Sequence, residues 1–192
     1  MRVNEIFYSL QGEGYHTGTP ATFVRLSGCN LKCPFCDTDF RSSTEMTEEE
    51  IVNEVCKNSA RLVVITGGEP SLQLTSSLVD RLHAEDKYVA VETNGTNVLP
   101  TSLDWVTVSP KQSFVGSGGE PIYHHADEVK VVYDGIHGVT DYGISAPHYF
   151  IQPCDTGNEQ MNKEIINECV EFVKKNPKWR LSLQTQKILN VR

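Results

Sequence analysis

Cys29, Cys33 and Cys36 stand as C-x3-C-x2-C within the run Ser27 to Thr38, placing three thiols in eight residues of a loop that also holds Gly28, Pro34 and Phe35. The count of three is informative. A structural zinc site closes with four protein ligands, whereas a 4Fe-4S cluster held by three cysteines keeps one iron open to bind something else. By itself the triplet leaves both readings open, since a zinc knuckle can draw its fourth ligand from elsewhere. Cys33 and Cys36 alone also form the C-x-x-C of a redox loop.

A second cluster narrows the choice. Thr66-Gly67-Gly68-Glu69-Pro70 follows the strand-like run Leu62-Val63-Val64-Ile65, and although Gly-Gly after a strand is ordinarily a turn, the two patterns in this order resemble the radical S-adenosylmethionine superfamily. In that superfamily the aromatic position before the third cysteine is held here by Phe35, and the open iron chelates the amino acid end of the cofactor. The resemblance implies that the reduced cluster donates one electron and releases a 5'-deoxyadenosyl radical. It also implies that the Gly-Gly-Glu-Pro backbone and Glu69 hold the cofactor's ammonium group.

The elements that must position these residues alternate strand and helix. Ala21-Thr22-Phe23-Val24-Arg25-Leu26 is β-rich and delivers the cysteine loop at its carboxyl end, where barrels keep their chemistry. Met46 to Val55 has an N-cap at Thr47, acidic residues in its first turn and an apolar stripe of Ile51, Val52 and Val55. Strands are expected at Leu62–Ile65, Tyr88–Val91, Trp105–Val108, Glu128–Tyr133 and His148–Ile151, with helices through Leu74 to Leu82 and over Glu164–Lys175. Residues 112–126 read as a loop whose His124 and His125 are incidental, and Trp179 to Lys187 reads as a closing strand. Val3 to Leu10 alternates loosely into Gln11-Gly12-Glu13-Gly14, where Gln11 and Glu13, taken alone, decorate a solvated turn.

At 192 residues and 39% hydrophobic the chain suits one domain, residues 1–192. A full eight-unit barrel takes about 250 residues, so the expected fold class is α/β, a partial TIM-like barrel of about six units. No apolar run approaches the ~20 residues of a membrane span, and Met1 to Glu5 lacks a signal-peptide core, so a cytosolic location is expected. With 25 acidic and 17 basic residues the net charge is -8 and no basic run is present, which disfavours direct nucleic-acid binding. Cys56, Cys154 and Cys169 are scattered through element-like sequence and read as packing or partly exposed residues, with a reservation for Cys154 after Gln152-Pro153.

Leu10-Gln11-Gly12-Glu13-Gly14, Cys36-Asp37-Thr38, Thr66 to Pro70, Glu92-Thr93-Asn94-Gly95-Thr96, Ser109-Pro110-Lys111 and Gln184-Thr185 form an ordered set from about Asn4 to the C-terminus. This set resembles the 7-carboxy-7-deazaguanine synthase family. The resemblance implies ring contraction of 6-carboxy-5,6,7,8-tetrahydropterin to 7-carboxy-7-deazaguanine with loss of ammonia, in the 7-deazapurine pathway that leads to queuosine. The radical would take hydrogen from C6 and the rearranged product would recover one. Implied cofactors are a 4Fe-4S cluster on Cys29, Cys33 and Cys36, S-adenosylmethionine and Mg2+. Implied partners are the pterin, a reductant such as flavodoxin or ferredoxin, and a second copy in a homodimer.

By matching position, Phe35, Cys36, Asp37, Gly68, Glu69, Ser109, Pro110, Lys111 and Gln152 are implied cofactor contacts. Leu10, Gln11, Gly12, Glu13, Arg25, Thr66 and Gln186 are implied substrate contacts, with Thr38 a Mg2+ ligand. A guanidinium at Arg25 suits a carboxylate clamp, against the plain alternative of an outward ion pair. Two features depart from the family. Gln186 stands where His often follows Gln-Thr, and the chain is short, with the missing length expected between the cluster and Leu62. An activase that installs a glycyl radical, or a non-catalytic zinc or electron-transfer module, are the competing functions.

Overall fold

The structure, a computed structural model, describes residues 1–36, 38 and 42–192. Its strands β1 Arg2–Leu10, β2 Pro20–Leu26, β3 Thr44–Glu45, β4 Leu62–Gly67, β5 Tyr88–Thr93, β6 Trp105–Val108, β7 Glu128–Tyr133, β8 His148–Pro153 and β9 Trp179–Leu181 form one sheet, in the order β3-β1-β2-β4-β5-β6-β7-β8-β9. From β2 onward every neighbour is parallel, while β1 runs antiparallel to β2 and β3 antiparallel to β1. The helices are α1 Glu48–Val55, α2 Ser76–Ala84, α3 Gln112–Val115, α4 Glu159–Lys175 and α5 Thr185–Leu189. This is a partial TIM-like barrel. Six parallel strands, β2 to β8 without β3, match the expected units, and the short β9 adds a seventh.

The two faces of the sheet follow from the period of 2. Val24, Leu26, Val63, Ile65, Val89 and Val91 pack with Ile51, Val55, Leu78, Val79 and Leu82 of α1 and α2. Farther along the sheet, Val129, Val131 and Ile151 pack with Ile165 and Cys169 of α4. The alternate residues face inward. Ala21, Phe23, Leu62, Val64 and Ala90 make an apolar floor, and two residues later on the same strand faces come Arg25, Thr66 and Glu92. These three strands thus change from apolar to polar toward their carboxyl ends.

Three expectations are corrected. Trp179 to Lys187 is not one strand: pairing with β8 ends at Leu181, and the chain leaves the ladder so that Thr185 N and Oγ1 can donate to Gly12 O at 3.1 and 2.8 Å. α4 begins five residues before the expected Glu164, because Asn158 caps it by accepting from Gln160 N and Met161 N at 3.0 and 3.1 Å. Its first turn is polar apart from Met161, which hid it from a periodicity reading. Residues 112–126 include the short α3. Thr47 caps α1 as expected, with the reciprocal Glu50 contact of a capping box.

Candidate active site

The carboxyl ends of the strands surround one cavity of about 600 Å³. Cys29, Cys33 and Cys36 line it; none is in a disulfide, the first two are half-buried and the third is exposed. Their loop is stitched to the end of β4 by Gly68 N donating to Leu26 O at 2.9 Å and Glu69 N to Gly28 O at 2.8 Å. Those contacts explain the two glycines. A Cβ on Gly68 would stand 2.0 Å from Gly28 O, and Gly67 has φ +128 with Leu26 O 2.1 Å from where its Cβ would be. Burial pushes the Cys29 and Cys33 thiols up, while the nearby Lys111 charge acts the other way on both.

Lys111 reaches this wall from the β6–α3 connection, donating through Nζ to Ser109 O at 2.7 Å and to Ser109 Oγ. Burial lowers its ammonium to about 8, with Cys33 opposing the shift. Phe35 packs edge-on against Phe114 of α3, ring centroids 4.6 Å apart. Gly68, Ser109, Gln152 and Thr38 also line the cavity, as does Cys154. Glu69 does not. It is 1% exposed, and its carboxylate accepts from Ser71 N, Thr93 Oγ1 and Asn94 N at 3.0, 2.6 and 2.7 Å, bracing the ends of β4 and β5. Pro110 is buried and off the cavity surface, and Asp37 lies outside the described residues.

The opposite wall gathers Leu10, Gln11, Gly12, Glu13, Arg25, Thr66 and Gln186. Far from being solvated, Glu13 is a hub. Its Oε2 accepts from Lys130 Nζ at 2.6 Å and Gln152 Nε2 at 3.0 Å, and its Oε1 from Gln184 Nε2 at 3.2 Å and Gln186 Nε2 at 3.0 Å. Burial pushes its carboxyl up, but the Lys130 charge and these donors outweigh burial and hold it at about 2. Glu92 sits beside it, taking Thr66 Oγ1 at 3.0 Å, Lys130 Nζ at 3.2 Å and Gln11 Nε2 at 3.3 Å. A Cβ on Gly12 would stand 2.8 Å from the backbone N of Gln186, so the close approach of the two segments favours glycine there. Arg25 donates through Nε to Glu5 at 2.9 Å, with its guanidinium 5.9 Å from the Phe7 ring centroid.

The sequence marks Glu92 only as part of the Glu92–Thr96 motif and gives no role to Lys130. A signal was present, since Glu128 and Lys130 are charged at i and i+2 of a strand whose alternate residues, Val129 and Val131, are apolar, which puts both charges on one face.

The β1–β2 loop reaches the interior from beneath the floor. Tyr15 stacks on Trp105 at 4.9 Å and Tyr15 N donates to Glu128 Oε2 at 3.0 Å. Gly14 takes φ +63, with Glu128 Oε1 2.2 Å from where a Cβ would be. Burial pushes the Glu128 carboxyl up from 4.5 to about 7, against an opposing pull from Lys130. A folded-state value raised in this way contributes stability fully below about 4.5, and that stability is lost as pH rises through about 7. Glu128→Gln keeps the acceptor for Tyr15 and removes the ionisation. Thermal melts should show it more stable than the parent by about 3 kcal/mol at pH 8 and by under ~1 kcal/mol at pH 5.

A curated relative, the 7-carboxy-7-deazaguanine synthase of Bacteroides thetaiotaomicron, is 53% identical over 192 residues, covering 100% of this chain and 98% of the relative. The chain belongs to the 7-carboxy-7-deazaguanine synthase family. The enzyme of that name from Bradyrhizobium diazoefficiens is 37% identical over 214 residues, with 99% of this chain and 98% of the relative covered. The Radical SAM superfamily profile matches residues 23–109, from β2 to the end of β6. The crystal structure of QueE from Escherichia coli superposes with TM-score 0.74 at 29% identity, over 95% of this chain and 92% of that one.

Membership implies a 4Fe-4S cluster and S-adenosylmethionine, and the residues present fit them. Three thiols outside any disulfide lie on one cavity wall. The start of their loop, at Gly28 and Cys29, packs directly on Gly68.

Proposed function

We propose that this radical S-adenosylmethionine enzyme converts 6-carboxy-5,6,7,8-tetrahydropterin to 7-carboxy-7-deazaguanine with release of ammonia, as a carbon–nitrogen lyase of the queuosine branch of 7-deazapurine biosynthesis. One observation carries the reading: a single cavity joins a three-thiol wall to a wall of ionised and amide side chains centred on Glu13. When bound, the cluster and S-adenosylmethionine supply a 5'-deoxyadenosyl radical. The chain's part is to position the reacting carbon and exclude competing hydrogen donors.

In this reading Cys29, Cys33 and Cys36 hold the cluster. Phe35, Asp37, Gly68, Ser109, Lys111 and Gln152 bind S-adenosylmethionine, with Glu69 and Pro110 shaping the wall behind them. Leu10, Gln11, Gly12, Glu13, Arg25, Thr66 and Gln186 form the pterin site. Arg25 faces the pterin carboxylate, and Thr38 supplies a hydroxyl to Mg2+, which neutralises the same carboxylate. The protein works as one domain, a cytoplasmic homodimer reduced by a flavodoxin or ferredoxin. Among the described residues no helix is long and apolar enough to cross a membrane.

The test is an anaerobic mass-spectrometric assay of reconstituted, reduced protein with S-adenosylmethionine, Mg2+ and the pterin. Product supports the reading and its loss on chelation supports Mg2+ dependence. Cofactor cleavage without product overturns the substrate assignment in favour of an activase. Gln186 holds Glu13 through its amide, so it binds rather than titrates. Gln186→His is expected to change kcat/KM by less than about 10-fold with no new pH limb; a large pH-dependent rate gain would show that the position is a proton carrier.

A further inference from the structure

Lys130 projects from the inner face of β7 into the cavity wall and is 5% exposed. Its ammonium joins groups from two other elements, Glu13 of the β1–β2 loop at 2.6 Å and Glu92 of β5 at 3.2 Å. Two carboxylates sharing one ammonium at these distances are themselves neighbours. Without the cation between them their repulsion would drive one to take up a proton.

The charge on Glu13 also decides how its surroundings point. Gln152, Gln184 and Gln186 all turn Nε2 toward it, as amides must toward an acceptor-only carboxylate. Gln152 Oε1 consequently faces Ser182 Oγ, which donates to it at 2.9 Å. A protonated Glu13 would offer a donor in place of an acceptor, and at least one of these amides would have to reverse.

We propose that Lys130 is a positioning residue that sets the donor–acceptor pattern of the substrate wall, acting through Glu13 and Glu92. The inference rests on the proposed pterin reaction and deepens it. A pterin presents a fixed pattern of N–H donors and carbonyl acceptors along one edge, and a site that recognises such an edge discriminates only while its own pattern is fixed. The charged groups facing Lys130 are Glu13 from the β1–β2 loop, Glu92 from β5 and Glu128 from its own strand, while the Lys111 ammonium from beyond β6 repels it. Burial by itself would push the Lys130 ammonium down, but the three carboxylates outweigh it and hold it above its ordinary range.

The experiment compares Lys130→Met and the charge-balanced Lys130→Met/Glu13→Gln with the parent. Steady-state kinetics would be run from pH 6 to 9, alongside iron content, thermal melts and isotope-edited infrared spectra of the carboxyl groups. For Lys130→Met the KM for the pterin should rise about 100-fold, more than any fall in kcat, and gain a pH limb that the parent's profile lacks. A new protonated-carboxyl band should appear and vanish in the double variant, whose KM stays high but loses its pH dependence. A merely structural lysine would lower the melting temperature and leave the KM profile and the band unchanged.

A KM within about 3-fold of the parent, flat with pH and with no new band, would overturn the proposal. If Lys130→Met does not fold, the double variant is read against Glu13→Gln alone, and its KM must exceed that of the single substitution. If the parent does not turn over the pterin, the reading of function fails, while the infrared comparison still decides whether Lys130 fixes the carboxylate charges.

Discussion

Cys33→Ala is expected to abolish product formation, a fall of at least about 10³-fold or ~4 kcal/mol of barrier, together with cofactor cleavage and most of the bound iron. The cause lies in the ligand count. Three thiols on one loop are the least that can hold the cluster while leaving an iron open, and with two the cluster has no third protein anchor. The loop itself should survive, since it is held to β4 by backbone bonds from Gly68 and Glu69 that the substitution does not touch. The melting temperature should therefore change little while iron content collapses. Cys56→Ala is the control: Cys56 is exposed at the end of α1, so iron content and rate should match the parent. A Cys33→Ala protein that keeps its cluster and turns over would remove the basis of the proposed reaction.

Gly68→Ala should damage the same site by a different route. The added Cβ would stand 2.0 Å from Gly28 O and 3.1 Å from Cys29 N, both backbone atoms of the cysteine loop. No flexible side chain can give way, so the loop must lift from β4 or β4 must bend. Overpacking of this kind typically costs about 1–3 kcal/mol, and the displaced Cys29 should bring a loss of iron as well. Because the obstacle is backbone, smaller side chains at neighbouring positions should not rescue it. Gly138→Ala, where a Cβ would meet nothing within 4 Å, should stay within about 0.5 kcal/mol of the parent. Melts and iron assays on the pair separate a specific contact from a general effect of replacing glycine.

Much of this was readable from local pattern. The cysteine spacing, the Thr47 cap and the β-rich runs each depend on residues a few positions apart, and the structure keeps them. The cap of α4 was missed because its first turn carries almost no apolar signal, and the C-terminal segment was misread as a strand because Leu181, Leu183 and their neighbours alternate as a strand would. That alternation ends where β8 stops offering partners and Gly12 begins to.

The sequence by itself determined the chemistry of one wall, since all three thiols lie on a single loop, and which residues of a regular strand share a face, since the side-chain period is fixed at two. The tertiary structure alone decided the pairings within the other wall. Glu13 and Lys130 are 117 residues apart, and Glu13 and Gln186 are 173 apart, so their pairing depends on how far the partial barrel curls and on the β1–β2 loop turning back beneath it. A face can be read from periodicity because the backbone imposes it locally. A partner cannot, because the order of strands and the path of loops are settled by packing summed over the whole core.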